Sequence, residues 1–89
     1  MIYELLLARS AQRELDDLPR EAFRLVDPAV WALRDTPRPF GVKKLDRDIH
    51  RVRIGPWRVV YAIRDQERQV VILRIARRSE RTYRRLPEH

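Results

Sequence analysis

The run His50-Arg51-Val52-Arg53-Ile54-Gly55-Pro56-Trp57-Arg58-Val59-Val60-Tyr61 sets two stretches of apolar and polar alternation on either side of a Gly-Pro pair. Alternation with period two marks a strand with one buried face, and a Gly-led pair of loop residues between two such strands closes a hairpin. With Gly55 and Pro56 as the loop, Ile54 faces Trp57, Arg53 faces Arg58, Val52 faces Val59 and Arg51 faces Val60. Val52, Ile54, Trp57 and Val59 then share one face of the sheet, while Arg51, Arg53 and Arg58 share the other. Like charges set directly opposite one another cost a bare sheet some tenths of a kcal/mol, up to about 1. A polyanion lodged between them reverses the sign of that contribution.

Eighty-nine residues make a single domain, 1–89, of a size that buries only about 60 to 65 per cent of the surface its unfolded chain exposes. A long cleft between two domains is excluded as a site. The formal net charge is +7, from 20 Lys and Arg against 13 Asp and Glu. Residues 1–49 carry nine basic and nine acidic side chains, whereas residues 50–89 carry eleven basic and four acidic ones, so the whole excess lies in the half that holds the hairpin. A field of that sign attracts nucleic acid, an anionic membrane or an acidic protein segment, and charge alone does not choose among them. The chain has no cysteine for a disulfide or a thiolate metal site, and two scattered histidines make no zinc site. Neither a metal nor any other cofactor is expected. Glu4 interrupts a short apolar run where a signal segment would need continuity, and Val70 to Ala76 is too short to span a bilayer. The expectation is a soluble, cytoplasmic protein with no membrane partner.

Ile2 to Ala8 is short and apolar enough for a buried strand, although the Leu5-Leu6-Leu7 run leaves helix open on pattern alone. Ser10 has the chemistry of an N-cap, and Ala11, Leu15 and Leu18 recur at helical spacing, which predicts a first helix ending at Leu18-Pro19. Phe23, Val26, Val30 and Leu33 form one further stripe. This favours a single second helix kinked at Pro28; the alternative is a break there, with Asp27 as a new N-cap. Thr36 to Gly41, with two prolines and a glycine, reads as the one long connection, leading through Lys43 and Lys44 toward the hairpin. A polar turn at Asp65 to Arg68 precedes a third strand of the meander, Gln69 to Ala76, and Arg77 to Leu86 reads as a short basic helix or tail. The order β-α-α-β-β-β predicts an α+β fold, a small antiparallel four-stranded sheet with the two N-terminal helices packed on one face.

On the open face the alternation groups Arg51, Arg53, Arg58 and Arg64, and adds Arg74 and Arg78 if Val71, Leu73 and Ile75 point inward. Ala62 and Ala76 among them would leave the middle of that face concave. Such a trough, walled by guanidinium groups, offers planar bidentate contacts to phosphate. A solvated sheet face in an arginine-rich chain is the plainer account of the same pattern.

Three segments together carry a family resemblance: Arg9-Ser10-Ala11-Gln12-Arg13-Glu14-Leu15-Asp16-Asp17-Leu18-Pro19, Gly41-Val42-Lys43-Lys44-Leu45, and the arginine hairpin followed by Ile75-Ala76-Arg77-Arg78. In order, spacing and chain length the sequence resembles toxins of the RelE/ParE superfamily of type II toxin-antitoxin systems, closest to the RelE branch. The resemblance implies a RelE-like fold and a metal-independent endoribonuclease that cleaves messenger RNA in the ribosomal A site. In that chemistry the substrate's 2′-hydroxyl attacks the adjacent phosphate and leaves a cyclic phosphate and a 5′-hydroxyl. By the same resemblance Arg51 and Arg53 take the places of the family's paired basic residues and Arg58 that of its phosphate-binding arginine. Arg78 matches the C-terminal arginine near the leaving oxygen, and Tyr83, through a one-residue gap, the tyrosine that stacks on or orients the base. Lys43, Lys44, Arg64, Arg74, Arg77 and Arg81 are further RNA-binding candidates, the two lysines reading chiefly as solvated. The implied partners are an acidic antitoxin in a hetero-oligomeric complex, the ribosome and messenger RNA.

The chain departs from the family at the general base. That position is often a lysine whose pKa neighbouring positive charge depresses, whereas Arg51 keeps its proton at any physiological pH and can stabilise a transition state without acting as base. Histidine has an intrinsic pKa in the right range, but alternation turns His50 toward the core, where a packed structural role is the ordinary one. Tyr83 and Glu80 are the other candidates. Trp57, Tyr61 and Phe23 fall on inward stripes and read as core, while Trp31, off the stripe of its helix, reads as packed on the following loop or at an antitoxin contact. Two alternatives fit the same pattern: a ParE-like poison of DNA gyrase, and a catalytically weak basic homologue that acts mainly by binding.

Overall fold

Along the chain the elements are β1 (Glu4–Leu7), α1 (Arg9–Asp16), α2 (Arg20–Ala32), β2 (Lys43–Lys44), β3 (Ile49–Ile54), β4 (Trp57–Arg64) and β5 (Gln69–Arg77). They are taken from a computed structural model that describes residues 2–77. The β3–β4 hairpin closes in the register the alternation requires, with Ile54 opposite Trp57, Arg53 opposite Arg58, Val52 opposite Val59 and Arg51 opposite Val60. Gly55 takes φ +59°, and the ring of Pro56 holds its own φ near about −65°. That positive-then-negative pattern belongs to a type II′ turn, whose twist matches the twist of the strands it joins.

The five strands lie in the order β1-β5-β4-β3-β2, one more than the sequence predicts. The extra strand is β2, whose two lysines pair antiparallel with Arg51 and His50 and are too few to show a period. The sheet is mixed as well, because β1 pairs with β5 in parallel, Leu5 opposite Val70 and Leu7 opposite Ile72. Helices, not a tight turn, connect β1 to the rest of the sheet, so the reversal that a hairpin imposes does not apply to it. Both helices cover one face, as expected for this α+β order. Ala11 and Leu15 of α1, Val26 and Val30 of α2, and Leu33 form the core with Val52, Val59, Tyr61, Ile63, Val70, Ile72 and Ile75.

Helix α1 begins at Arg9, not after a Ser10 cap. The Ala8 N–H is still bonded to the Ile72 carbonyl at 2.8 Å while its own carbonyl already accepts from Gln12 N–H at 2.9 Å, so strand passes into helix at that residue. The Ser10 hydroxyl donates instead to the Leu73 carbonyl at 3.4 Å. Helix α2 runs unbroken through Pro28, held by the burial of Val26 and Val30 on either side of it. Phe23, expected in the core, is 39% exposed, because the buried stripe of α2 begins one turn later at Val26.

Strand β5 breaks the alternation. Val60 pairs with Arg74 but Tyr61 pairs with Ile72, leaving Leu73 as the extra residue of a bulge. One extra residue inverts the phase of all that follows. Val70 and Ile72 therefore point inward before the bulge and Ile75 after it, whereas Val71 and Leu73, expected inward, are only partly buried.

Two side-chain clusters fasten the 36–42 connection. Buried Tyr61 donates its hydroxyl to the Pro37 carbonyl at 2.7 Å, and burial pushes its pKa up to about 12 against the opposing charge of Arg38. Asp65, in the β4–β5 turn, accepts from Arg38 Nη2 at 2.8 Å and from the Tyr3 hydroxyl at 2.7 Å. The Arg38 guanidinium, and after it the Tyr3 hydroxyl, hold the Asp65 carboxyl below its ordinary pKa.

Replacing Gly55 by alanine forces a β-carbon into the left-handed region, at about 1–2 kcal/mol, and sets that carbon 2.9 Å from Leu25 Cδ2. In a domain of this size the expected result is a Tm lower by several degrees; an unchanged Tm would refute the turn assignment. For Asp65 the folded pKa lies below the unfolded one, so its stabilisation is complete above the unfolded value of about 3.9 and disappears as pH falls through the folded value. Asp65→Asn is therefore expected to flatten the fall of Tm on acidification below about pH 4, by a small amount because the pair is exposed. Superimposable acid limbs for the two proteins would contradict the network.

Candidate functional site

Rows of cross-strand partners define the face that the helices leave open. One row runs Lys43, Arg51, Val60, Arg74 across β2, β3, β4 and β5, and the next, closer to the turn, runs Arg53, Arg58, Ala76. Successive rows lie about 7 Å apart and neighbouring strands about 4.8 Å apart. Arg51, Arg53 and Arg58 thus form one cluster at the hairpin end of the sheet, with Lys43 beside it. Arg53 is exposed, and Arg51 and Arg58 are half-buried. Ala76, next to Arg58, presents no side chain beyond Cβ, so the cluster borders low ground on the β5 side.

The remaining candidates fall elsewhere. Lys44 pairs with His50 and so belongs to the opposite face. Arg64 lies six residues along β4 from Arg58, about 20 Å away, in a row with Gln69 and Glu4. Ala62, expected to line the trough, is 4% exposed and sits in an apolar row with Ile49, Val71 and Leu6, farther from the turn. Arg74 is on the arginine face, but its Nε donates to Glu14 Oε2 at 2.9 Å. Arg77 is not on that face: the bulge turns it to the helix side, opposite Trp57, with its guanidinium 5.9 Å from the indole centroid. Arg78, Glu80, Arg81 and Tyr83 lie outside the described residues.

His50 packs as the alternation predicts. It is 4% exposed on the inward face, its Nδ1 donates to the Asp48 carbonyl at 3.0 Å, and its ring lies 6.0 Å from that of Tyr61. It is remote from any group bound on the opposite side of the sheet. Trp31 is 44% exposed with the Arg34 guanidinium 5.3 Å from its ring centroid.

The chemistry of the cluster follows from its side-chain type. Guanidinium groups are permanently protonated, offer five donors and accept nothing. Three of them on one face can orient phosphates and stabilise negative charge that develops on one. They cannot remove a proton, so among the described residues this face supplies positioning and electrostatics. No group of three or more Asp, Glu or His among the described residues is placed to hold a metal ion, and none of their helices is long and apolar enough to cross a membrane. Sequence reasoning missed Glu14. Its place in α1 gave no sign of a partner 60 residues away, because a helix-to-strand contact has no period.

Comparison with known proteins shows the family and the fold. The family described as "ParE toxin of type II toxin-antitoxin system, parDE" matches residues 5–82, a span that takes in Arg78 and Arg81 and stops one residue short of Tyr83. The chain is 38% identical over 81 residues to Toxin RelE of Mycobacterium tuberculosis (strain ATCC 25618 / H37Rv), covering 86% of this chain and 82% of that toxin. Among solved structures, a chain of the toxin-antitoxin complex RelBE2 from Mycobacterium tuberculosis superposes with a TM-score of 0.77 at 29% identity, over 88% of this chain and 100% of that one. A chain of the archaeal RelE-RelB complex from Pyrococcus horikoshii OT3 superposes with a TM-score of 0.79 at 27% identity, over 89% and 98%.

The opposed Arg53 and Arg58 give a prediction with two signs. Arg53→Gln is expected to raise stability by some tenths of a kcal/mol, up to about 1, by relieving like-charge opposition. It is also expected to weaken binding of single-stranded RNA and reduce the salt slope of log K by about 0.7. Denaturant midpoints and fluorescence anisotropy measure the two; a fall in both would show that Arg53 is structural.

Proposed function

We propose that this chain, which belongs to the RelE/ParE superfamily of type II toxin-antitoxin toxins, is a RelE-like endoribonuclease that cuts messenger RNA in the ribosomal A site. The observation that carries the proposal is the cluster of Arg51, Arg53 and Arg58 on the one sheet face without helices. Similarity to RelE toxins at 27–38% identity supports the branch.

In this mechanism the substrate's 2′-oxygen attacks the adjacent phosphorus, the bond to the 5′-oxygen breaks, and a 2′,3′-cyclic phosphate and a 5′-hydroxyl result. One proton leaves the 2′-hydroxyl and one reaches the departing 5′-oxygen. Arg58 and Arg53 bind the non-bridging oxygens, whose negative charge grows in the transition state, and Arg51 holds the strand in line for attack. Lys43 extends the same electrostatic track. Arg78 stabilises the charge on the leaving oxygen, which takes its proton from water, and Tyr83 orients the base, both by family position. With arginine at position 51, catalysis rests on orientation and charge stabilisation, and the proton goes to water, to Glu80 or to Tyr83. A site of action on ribosomes places the protein in the cytoplasm.

An acidic antitoxin is the proposed partner, in a hetero-oligomeric complex. Two of the similar solved structures, from Mycobacterium tuberculosis and Pyrococcus horikoshii OT3, are toxin-antitoxin complexes, and this chain carries a net charge of +7. Besides the cationic face it offers an apolar cavity of about 180 Å³ lined by Ala29, Ala32, Leu33, Pro39, Val52 and Ile54. A disordered acidic segment that folds on binding suits both surfaces.

The deciding experiment is primer extension on a reporter message in a translating extract, with purified protein, with and without ribosomes. Cuts in codon register that need ribosomes are expected, and Arg58→Ala is expected to lower their rate by about 10²-fold or more, the usual effect of losing one donor to a developing anion, with the fold retained. Intact message would overturn the nuclease reading. The second reading, a ParE-like gyrase poison, is favoured by the description of the matching family, and protein-dependent accumulation of gyrase-cleaved DNA with intact message is its signature.

A further inference from the structure

Strand β1 ends at Leu7, opposite Ile72, and leaves the second half of β5 without a neighbour on that edge. Helix α1 takes over there. Ala8 N–H donates to the Ile72 carbonyl at 2.8 Å, the Ser10 hydroxyl to the Leu73 carbonyl at 3.4 Å, and the Ile75 N–H to Glu14 Oε1 at 2.7 Å. Ser10 and Glu14 are one helical turn apart, and their two bonds straddle Arg74. Glu14 Oε2 in turn takes the Arg74 Nε at 2.9 Å, with Glu14 itself 28% exposed. One carboxylate therefore terminates the bulge and neutralises the one arginine that β5 adds to the arginine face among the described residues.

We infer that Glu14 is a positioning residue of the arginine face, which holds the second half of β5 in its inverted phase and keeps Arg74 from the bound polyanion. Without the bulge, the inward phase of Val70 and Ile72 would turn Arg74 and Ala76 inward, and Ile75 would stand beside Arg58 in place of the small Ala76. The Ile75 bond prevents this, because that amide is satisfied only while the strand keeps its shifted register. The ion pair lowers the charge of the face on its β5 side: Arg74 is engaged by Glu14, an internal anion that a phosphate would have to displace. The inference rests on the reading of this face as an RNA site.

The test separates the two roles of the carboxylate. Gln at position 14 keeps an oxygen for the Ile75 amide and loses the charge; Ala loses both. Binding of a labelled oligouridylate of about ten nucleotides, a length spanning the face on the scale of single-strand site sizes, is followed by anisotropy against salt. Glu14→Gln is expected to bind tighter, with a salt slope larger by about 0.7, equivalent to one added phosphate contact. The double variant Glu14→Gln/Arg74→Gln is expected to return that slope to the wild-type value, and Glu21→Gln, an equal charge change on α2, to leave it there. By hydrogen exchange the Ile75 amide is expected to lose protection in Glu14→Ala and to keep most of it in Glu14→Gln. Equal slopes for wild type and Glu14→Gln, or an Ile75 amide unchanged in Glu14→Ala, would overturn the inference and leave the nuclease reading intact. Oligouridylate binding with the expected slopes but no cut in ribosome-bound message would remove the nuclease reading and leave the inference; no binding by wild type or variant overturns both.

Discussion

A two-residue turn at Gly55 and Pro56 fixes the register of the β3–β4 hairpin, and the two faces of the sheet are sorted by that register. Side chains on a strand alternate, so a slip of one residue would send Val52 and Val59 into solvent and Arg51, Arg53 and Arg58 into the core. Burying three guanidinium groups without partners is far costlier than exposing a few valines. The left-handed conformation at Gly55 is accessible to glycine at no steric cost, and the proline after it removes the freedom to choose another turn. The helices, the core and the arginine cluster all take their places from this short segment.

The cluster is held at some expense of stability. Arg53 and Arg58 face each other directly, which a sheet selected for stability alone would avoid. Support comes from the inner face, where Val59 and Tyr61 are fully buried and the Tyr61 hydroxyl is bonded to the Pro37 carbonyl. It also comes from α1, which stands in for a missing strand along the upper half of β5. In the proposed function, a rigid floor with mutually repelling donors above it is prepared for an anion before the anion arrives, which is the condition under which electrostatic stabilisation costs least at the moment of reaction.

Much of this was legible in the residues. The hairpin register, the inward turn of His50, the continuity of α2 across Pro28 and the placement of Arg51, Arg53 and Arg58 all follow from period-two or period-3.6 patterns carried by many residues at once. Ser10 misled because a serine before a helical stripe has the chemistry of a cap, yet here the Ala8 carbonyl opens the helix and the Ser10 hydroxyl serves a distant strand. Phe23 misled because a stripe says which way a side chain points and not how far the neighbouring layer extends. The two-residue β2 is too short for any pattern, and the parallel pairing of β1 with β5 leaves no local mark, since alternation looks the same in either direction.

By itself the sequence determined which side chains share a face within each element, because backbone geometry sets those periods locally, and it thereby determined that a basic sheet face exists. Only the tertiary structure decided how the faces of different elements are brought into phase. The bulge at Leu73 is the plainest case: nothing local in Val71-Ile72-Leu73-Arg74 calls for an extra residue, and it arises where β1 ends and α1 begins to bond the edge of β5. That single insertion moved Arg77 onto Trp57, brought Ala76 beside Arg58 and joined Arg74 to Glu14. Bonds between residues some 60 positions apart fix that phase, and no window of sequence contains both partners.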